Sequence, residues 1–518
     1  MRTITSKIII AGLLILLFGK TKAQTERWDD FIDIQIDTLI TQVQPMTGIV
    51  FWQGQYNDVA AEATSLEFSY MLFNDVVDAN GIFNWSHVEE KLEDIASRKH
   101  QAIFRFRYVY PGYETSVPDY IKAMDDYNET EGISEGKTTW FPDWTNAELQ
   151  HFTLKFYDKF AAHYDNDPRL AFIQVGFGLW AEYHIYDGPF GLGVTFPSKA
   201  FQEEFFRHLD TTFIQTPFSC SIDAADDTYS PFEEKPELLD LHFGNFDDSF
   251  MHDGFGEPGN YNTENWNFFG RERYKTSPAG GEFSYYSDYD QQHVLDWPDG
   301  PYGKPWEFYA EDFHMTYIMG NDQPNYQTTK RIKQASMASG YQFKIVSFRS
   351  KPDSSVVVVK NSGVAPIYYD AFVTVNGVRS PQSLKLLAPG ESLECSVSTG
   401  GSNPKMTIES DRLVPGQTIG YLGTENYADV EENTLNQKPF RIFPTVLKQG
   451  ENIHIQKQTA GTETMKVEIF SLSGNRIHAL DTTQRNMQIQ TTSFDQGMYF
   501  IRISGKGFPS QTQKIIIR

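Results

Sequence analysis

The chain has 518 residues, and its 68 acidic residues outnumber its 44 basic ones, which gives a formal net charge of −24 at pH 7. A chain of this length exceeds a single hydrophobic core, so we expect two to four domains. The acidity argues against nucleic acid or an anionic membrane surface as a partner.

The first residues have the pattern of an export signal. Two cations lie within Met1–Lys7, residues 8–19 are apolar, and the segment ends on the small residue Ala23. This pattern predicts a signal peptide over residues 1–23. A transmembrane helix is not expected there, because the apolar core is too short to span a bilayer stably. We therefore expect an exported mature chain without a transmembrane segment.

Residues 24–340 alternate short apolar runs with amphipathic segments, which is typical of βα units. Four helices are predicted, beginning near Ser86, Thr145, Ser198 and Tyr326. Eight strands are predicted: Gly48–Trp52, Leu66–Met71, Ala102–Tyr108, Leu170–Val175, Phe218–Ile222, Leu238–Phe243, Ser277–Glu282 and Phe313–Ile318. Eight strands with helical crossovers over this length predict a (β/α)₈ TIM barrel.

After residue 340 the pattern changes to short β-type runs separated by turn signals. Ser355–Val359, Tyr368–Val375 and Ser392–Val397 are the clearest runs, and Asn376-Gly377 and Pro389-Gly390 mark turns. This pattern predicts a β-sandwich over residues 341–423. The acidic polar stretch over residues 424–439 has the composition of a linker.

The last segment, residues 440–518, is a second all-β module. It contains Phe443-Pro444-Thr445-Val446, Val467–Phe470 followed by Ser473-Gly474, Gly497–Ile503, and the terminal Lys514–Arg518. In this order the motifs resemble the C-terminal sorting domain of the type IX secretion system. The resemblance implies export across an outer membrane by the type IX machinery, followed by release or anchoring at the cell surface.

One carboxylate follows the fourth predicted strand. The run Leu170–Val175 ends at Gly176, and Trp180, Glu182 and His184 come directly after it. In a parallel barrel the C-terminal rim of the strands carries the chemistry, so Glu182 is a candidate catalytic residue. Taken alone, it could equally be a surface glutamate in an aromatic loop.

A second carboxylate, Glu282, ends the seventh predicted strand after Gly280-Gly281. Carboxylates after strands four and seven face each other across a barrel mouth. Glycoside hydrolysis needs two such groups, one to protonate the leaving oxygen and one to attack the anomeric carbon or activate water. The arrangement resembles the clan of retaining (β/α)₈ glycosidases, in which the acid/base lies on strand four and the nucleophile on strand seven.

Over residues 45–400 the chain also resembles a family of secreted, glycosidase-like barrel proteins of unknown function. The shared motifs are Phe68-Ser69-Tyr70-Met71, Gly81–Ser86, the Arg-bearing strand Ile103–Arg107, Gly178–Glu182 and Gly280-Gly281-Glu282. The chain departs from the clan at Ala181, where many members have Asn before the acid/base Glu. This departure weakens the assignment of Glu182 more than that of Glu282.

Other residues are candidates for substrate binding. Arg105 and Arg107 alternate with phenylalanines on the third strand, so both are expected on the same face, where a cation would keep a nearby carboxylate ionised. The remaining candidates are Trp52, Trp180, His184, Asn245, Asp247 and His314. Aromatic residues make up 15% of the chain, and their rings can stack on the apolar faces of sugars.

The sequence predicts a glycoside hydrolase that acts on a polysaccharide or oligosaccharide without a cofactor or catalytic metal. Asp223–Asp227 resembles calcium ligands in residue type, but a turn or helix cap is the preferred interpretation. Two alternatives remain open. The first is a non-catalytic glycan-binding protein of the cell surface, which the departure at Ala181 leaves open. The second is a polysaccharide lyase, which needs a Tyr or Lys base near a cationic clamp and which Arg105, Arg107 and Tyr108 do not exclude.

Overall fold

The computed structural model describes residues 30–424, 440–444, 446–457, 464–471, 476–494, 496–505 and 511–518. The predicted signal peptide and residues 425–439 of the predicted linker lie outside the described residues. The chain divides into two compact units, of which the first ends at Thr424.

Eight parallel strands close into a barrel, which confirms the predicted fold class. The strands are β1 Gly48–Trp52, β2 Leu66–Leu72, β3 Gln101–Arg107, β4 Leu170–Val175, β5 Phe218–Ser221, β6 Gly244–Phe250, β7 Ala279–Phe283 and β8 Tyr317–Met319. They pair in sequence order, and β6 pairs with β7 and β8 with β1 to complete the ring.

The structure corrects the sixth predicted strand. Residues Pro236–Asp240 form a 3₁₀ helix with Leu238 buried, and the strand is Gly244–Phe250 instead. The run Leu238–Phe243 resembles a strand more than β6 does. Gly, Asn and Asp are disfavoured in strands, yet they make up most of β6. Polar residues are tolerated there because one face of β6 lines the site described below.

Helices cover the outside of the barrel. They are Asn57–Ala63, Ser86–Ser97, Asp119–Lys122, Ala147–Tyr164, Lys199–Thr212, Tyr261–Phe269, Asp288–His293, Trp306–Asp312 and Thr329–Met337. The helix Ala147–Tyr164 is capped by Asn146, whose side chain accepts a hydrogen bond from the Leu149 N–H. Thr145 does not cap it, because its backbone N–H and hydroxyl both donate to Asp143.

Two further sheets belong to the first unit, and their strands pair antiparallel except for Tyr421–Leu422, which runs parallel to Phe343–Lys351. One contains Ile32–Asp33, Phe343–Lys351, Ser354–Asn361, Ser392–Val397 and Tyr421–Leu422, and the other contains Phe372–Val375, Val378–Ser383 and Met406–Glu409. A separate hairpin of Thr130–Ser134 and Lys137–Phe141 lies in the connection between β3 and β4.

These sheets pack against the N-terminal ends of the barrel strands. Arg412 Nη2 donates to the carbonyl of Leu170, the first residue of β4, at 2.9 Å. The Tyr368 hydroxyl donates to the carbonyl of Tyr274, ahead of β7, at 2.6 Å. The C-terminal mouth of the barrel therefore lies at the opposite end from the two sheets.

The described residues of the second unit form only β-strands and their connections. Its sheets contain Phe440–Phe443, Asn452–Lys457 and Asn486–Gln490 in one, and Val446–Leu447, Met465–Ser471, Arg476–Thr482, Gly497–Gly505 and Gln511–Ile517 in the other. Alternate residues such as Ile453, Val467 and Ile501 are buried and form its core. Within the described part of the chain, every helix is too short or too polar to span a bilayer.

Candidate active site

Arg105 joins the two predicted catalytic carboxylates in the mouth of the barrel. Its Nη1 lies 2.8 Å from Glu182 Oε1, and its Nη2 lies 3.0 Å from Glu282 Oε1. Its Nε donates to Gln174 Oε1 at 2.8 Å, and its guanidinium carbon lies 4.3 Å from the centre of the Phe246 ring. The arginine side chain is fully buried, so this cation has little freedom to move away from the carboxylates.

The alternation of β3 puts Arg105 in this position. Phe104 and Phe106 point outward into the hydrophobic layer beneath the helices, where Phe106 packs on Phe156 with ring centres 4.6 Å apart. Residues of opposite parity point into the barrel, because successive strand side chains face opposite sides. Arg105 and Arg107 therefore share the inner face, as the sequence predicted.

Glu182 lies in a compact turn that folds back on the end of β4. The N–H groups of Phe177 and Gly178 both donate to the Glu182 carbonyl, at 3.1 and 2.8 Å. Gly178 is required because a Cβ there would lie 2.1 Å from the His184 carbonyl oxygen. Ala181 has a φ of +58°, a left-handed conformation that Asn adopts more readily than Ala.

Glu282 projects from β7 into the same space. Gly280 lies two residues earlier on the same face of the strand, and a Cβ there would lie 2.2 Å from the Tyr317 ring. The glycine thus lets the Tyr317 ring pack against β7 below the carboxylate. The side chain of Glu282 is 14% exposed and that of Glu182 is 4% exposed.

Burial and neighbouring charges act differently on the two carboxyls. Burial raises the pKa of Glu182 well above its ordinary value, and the negative charge of Asp248 raises the pKa further against the opposing effect of Arg105. Burial also raises the pKa of Glu282, while the charge and hydrogen bond of Arg105 oppose it. Repulsion from Asp248 acts on Glu182, so these surroundings favour a proton on Glu182 over one on Glu282.

Three further side chains that bear on the site converge beside Glu182. His184 Nδ1 lies 2.8 Å from Asp223 Oδ2, and its Nε2 lies 3.7 Å from Glu182 Oε2. Asp248 comes from β6, and burial followed by the negative charge of Asp223 raises its pKa to about 6. Sequence reasoning predicted only His184 here, because Asp223 was interpreted as a turn residue and β6 was misplaced.

This group of three carboxylates and one imidazole offers donor atoms that a divalent cation can use. One donor atom from each of Glu182, His184, Asp223 and Asp248 lies within 4.8 Å of the others. The sequence predicts no metal site here. Asp248 belongs to this group of donors because it lies on β6, which the sequence pattern does not reveal as a strand.

The mouth of the barrel also carries the expected aromatic side chains. Trp52 ends β1, is 37% exposed, and donates through Nε1 to Met319 Sδ at 3.0 Å. Trp180 stacks on Tyr186 with ring centres 6.1 Å apart. The Arg107 guanidinium lies 4.5 Å from the centre of the Tyr110 ring rather than on a carboxylate.

The structure places three other predicted binding residues away from this site. Asn245 and Asp247 lie on β6 rather than after it, and both side chains face the outer layer, where Asp247 accepts a hydrogen bond from Trp266 Nε1 at 2.9 Å. His314 precedes β8 at its N-terminal end and contacts the carbonyl of Val364 at 2.7 Å through Nδ1. These placements correct the expectation that all three lie near the carboxylates.

Solved structures that match parts of this chain include two glycoside hydrolases. The GH36 α-galactosidase AgaA from Geobacillus stearothermophilus has a TM-score of 0.30 and 10% identity over 69% of this chain and 56% of that one. A GH5-4 broad-specificity endoglucanase from an uncultured bacterium has a TM-score of 0.32 and 12% identity over 57% of this chain and 85% of that one. This chain thus spans little more than half of the α-galactosidase's length.

A DUF3244 family protein with an immunoglobulin-like β-sandwich fold from Bacteroides vulgatus matches a smaller portion. Its TM-score is 0.14, with 16% identity over 15% of this chain and 83% of that one. No curated protein matches the sequence of this chain.

The C-terminal unit gives the firmest assignment. Residues 441–518 match the family model of the secretion system C-terminal sorting domain. This finding supports the resemblance noted in the sequence, and the domain directs the protein through the type IX secretion system to the cell surface or beyond.

Proposed function

We propose that the barrel is a glycoside hydrolase that cleaves a polysaccharide or oligosaccharide with Glu182 as general acid/base and Glu282 as nucleophile. The observation that carries the proposal is the shared guanidinium of Arg105, which contacts both carboxylates at the C-terminal mouth of a parallel barrel. Active sites of parallel (β/α)₈ barrels lie at this end.

The surroundings of the two carboxyls suit these roles. Glu182 holds its proton more firmly, because burial and the negative charge of Asp248 raise its pKa. In the first step Glu182 protonates the glycosidic oxygen while Glu282 attacks the anomeric carbon, and the glycosidic bond breaks. In the second step Glu182 removes a proton from water, and the hydroxide displaces Glu282 from the sugar.

The contact of both carboxyls with one guanidinium favours a short separation between them. A separation of about 5–5.5 Å is typical of retaining enzymes, whereas inverting enzymes need about 6.5–9.5 Å to admit a water molecule. We therefore propose a retaining mechanism. Trp52, Trp180 and Arg107 at the mouth would contact the sugar rings and hydroxyls.

Glycan binding without catalysis is the competing function, and the 4% exposure of the Glu182 side chain favours it. A polysaccharide lyase is less well supported. Tyr108, its proposed base, packs in the outer layer and forms a 2.8 Å hydrogen bond with Thr153.

An activity screen decides between hydrolysis and binding. The full chain is incubated with a panel of polysaccharides and oligosaccharides, and new reducing ends are measured beside a Glu282→Gln control. Hydrolysis predicts product with the wild type and a loss of at least about 10²-fold in the control, the scale of losing one catalytic group. Saturable binding without product on every panel member would support the glycan-binding function instead.

A further inference from the structure

The side chains next to Glu182 form a cluster whose negative charges are only partly balanced. Glu182 comes from the turn after β4, Asp223 from the 3₁₀ helix Ile222–Ala225 after β5, and Asp248 from β6. Among the described residues, no lysine or arginine forms an ion pair with Asp223 or Asp248, and Arg105 pairs with Glu182 through Oε1.

His184 supplies an independent indication of a ligand. Its side chain is 11% exposed, and its Nε2 is buried and forms no hydrogen bond with any residue that the structure describes. A buried polar atom without a partner costs free energy, so such atoms are rare and call for an explanation. Glu182 Oε2 lies 3.7 Å from Nε2, so Nε2 faces the cluster.

The other imidazole nitrogen is already positioned by a carboxylate. Nδ1 lies 2.8 Å from Asp223 Oδ2, and Ser221 Oγ donates to the same oxygen at 2.9 Å. Histidines that bind metals commonly donate their second ring N–H to a carboxylate, which fixes the tautomer and leaves the other nitrogen as the ligand. In its neutral form, with Nδ1–H donating to Asp223, His184 presents the lone pair of Nε2 to the space beside Glu182 and Asp248.

We propose that Glu182, His184, Asp223 and Asp248 bind one divalent transition-metal cation of the Zn²⁺ type. The four donors lie within 4.8 Å of one another. The imidazole donor disfavours Ca²⁺ and Mg²⁺, which take oxygen ligands, whereas Zn²⁺ accepts both imidazole and carboxylate. Asp223 either binds the cation through Oδ1, the oxygen that is not hydrogen-bonded to His184 Nδ1, or orients His184 through Oδ2 without binding the cation.

The consequence for catalysis rests on the function proposed above. A carboxylate that binds a metal must be deprotonated, so Zn²⁺ displaces the proton of Glu182 to solvent. Glu182 then cannot protonate a glycosidic oxygen. The cation is accordingly an inhibitor that competes with the catalytic proton, and its removal restores hydrolysis.

Isothermal titration of the full chain with ZnCl₂ tests the site without any substrate. We expect one site in the wild type and a loss of affinity of about tenfold or more in His184→Ala and in the nearly isosteric Asp248→Asn, since even supporting residues of a metal site cost 10–100-fold. His252→Ala is the matched control, because His252 Nδ1 lies 2.7 Å from Asp290 Oδ2 in a similar pair outside the cluster. It should bind Zn²⁺ as the wild type does.

Circular dichroism and thermal melting establish that each variant is folded. If both variants unfold, the visible absorption of Co²⁺ added to the wild type decides, since a nitrogen and carboxylate site of low coordination number gives a distinctive spectrum. Equal Zn²⁺ affinity in all variants, absence of binding by the wild type, or a Co²⁺ spectrum identical to that of the aqueous ion would overturn the inference.

A second measurement separates this inference from the proposed function. Zn²⁺ should inhibit hydrolysis by the wild type, and a chelator should restore it. Zn²⁺ binding that depends on His184 in a protein that hydrolyses nothing would support the metal site and reject the hydrolase. Hydrolysis by a protein that does not bind Zn²⁺ would do the reverse.

Discussion

Asp247 and Asp248 are neighbours in the sequence, yet their side chains point to opposite sides of the barrel wall. Asp247 is fully buried in the outer layer, where Asn262 Nδ2 and Trp266 Nε1 donate to its carboxyl at 2.7 and 2.9 Å. Asp248 faces the lumen, where it influences the pKa of Glu182. The alternation of a single strand thus separates a structural carboxylate from a functional one.

Alanine substitutions at these two positions should therefore differ in their effect on stability. Asp247→Ala should lower the free energy of unfolding by about 1–3 kcal/mol, because it leaves buried donors without an acceptor. Asp248→Ala should change it by less than about 0.5 kcal/mol or raise it, since it removes a charge close to other carboxylates. Urea denaturation at pH 7 measures both, and equal losses would contradict the assigned orientations.

Arg105 and Arg107 give a second matched pair. Arg105→Met should lower the free energy of unfolding by about 3–5 kcal/mol at pH 7, because it leaves the buried Glu282 carboxylate without its cation. The loss should be smaller at pH 5 than at pH 7, because burial raises the pKa of Glu282 and a lower pH favours its uncharged form. Arg107→Met should cost about 1 kcal/mol at either pH, since this guanidinium lies over the Tyr110 ring. Equal, pH-independent losses would mean that Arg105 does not neutralise Glu282.

Glu67 predicts a pH dependence of stability outside the site. Burial alone would raise its pKa, but hydrogen bonds from Arg98 and His100 outweigh burial and lower the pKa below its ordinary value of 4.5. A lowered pKa stabilises the fold above the unfolded-state value, and this contribution disappears as the pH falls through the folded-state value.

Glu67→Gln should consequently cost about 3–5 kcal/mol at pH 7, and its difference from the wild type should shrink as the pH falls below about 4.5. Asp94→Asn is the control, because Asp94 pairs with the same Arg98 but is 41% exposed, and it should cost at most about 1 kcal/mol. Chemical denaturation from pH 7 down to about pH 2, which spans the unfolded-state and folded-state pKa values of Glu67, measures both variants. A Glu67→Gln loss that stays constant over this range is the outcome that contradicts the network.

The sorting domain predicts a processed protein. Because residues 441–518 match such a domain, we expect the mature form secreted by the producing cell to lack them. Intact-mass measurement of protein purified from the medium or the cell surface tests this expectation. Mature protein that retains Arg518 would contradict it.

The barrel could be predicted from the sequence because strands such as β1, β3 and β4 are largely apolar and alternate with amphipathic segments. β6 could not, since its sequence Gly-Asn-Phe-Asp-Asp-Ser-Phe has polar residues on both faces. A polar residue is accommodated on each face of β6 for a different reason. Asp247 accepts hydrogen bonds from side chains of the helix layer, and Asp248 lies in the lumen of the barrel. Neither reason is visible before the neighbouring elements are placed.

The same error affected the candidate binding residues. Placing the strand at Leu238–Phe243 made Asn245 and Asp247 seem to lie at its exit, although they are within the strand and face outward. His314 was placed near the end of a strand expected at Phe313–Ile318, but the strand begins at Tyr317 and leaves His314 at the opposite end of the barrel. By contrast, Arg105, Glu182 and Glu282 could be placed together. Strand parity put Arg105 on the inner face, and the resemblance to the retaining glycosidases put the two carboxylates after strands four and seven.

The most direct test of the two-carboxylate mechanism compares two variants on two classes of substrate, which the panel identifies. Glu182→Ala should lose about 10²–10⁴-fold on substrates with poor leaving groups, which need protonation, and much less on an activated aryl glycoside. Glu282→Ala should fail on both, and added azide should partly restore its rate with inversion at the anomeric carbon. Equal and small effects of both substitutions on a measurable wild-type rate would show that the catalytic carboxylates are other residues.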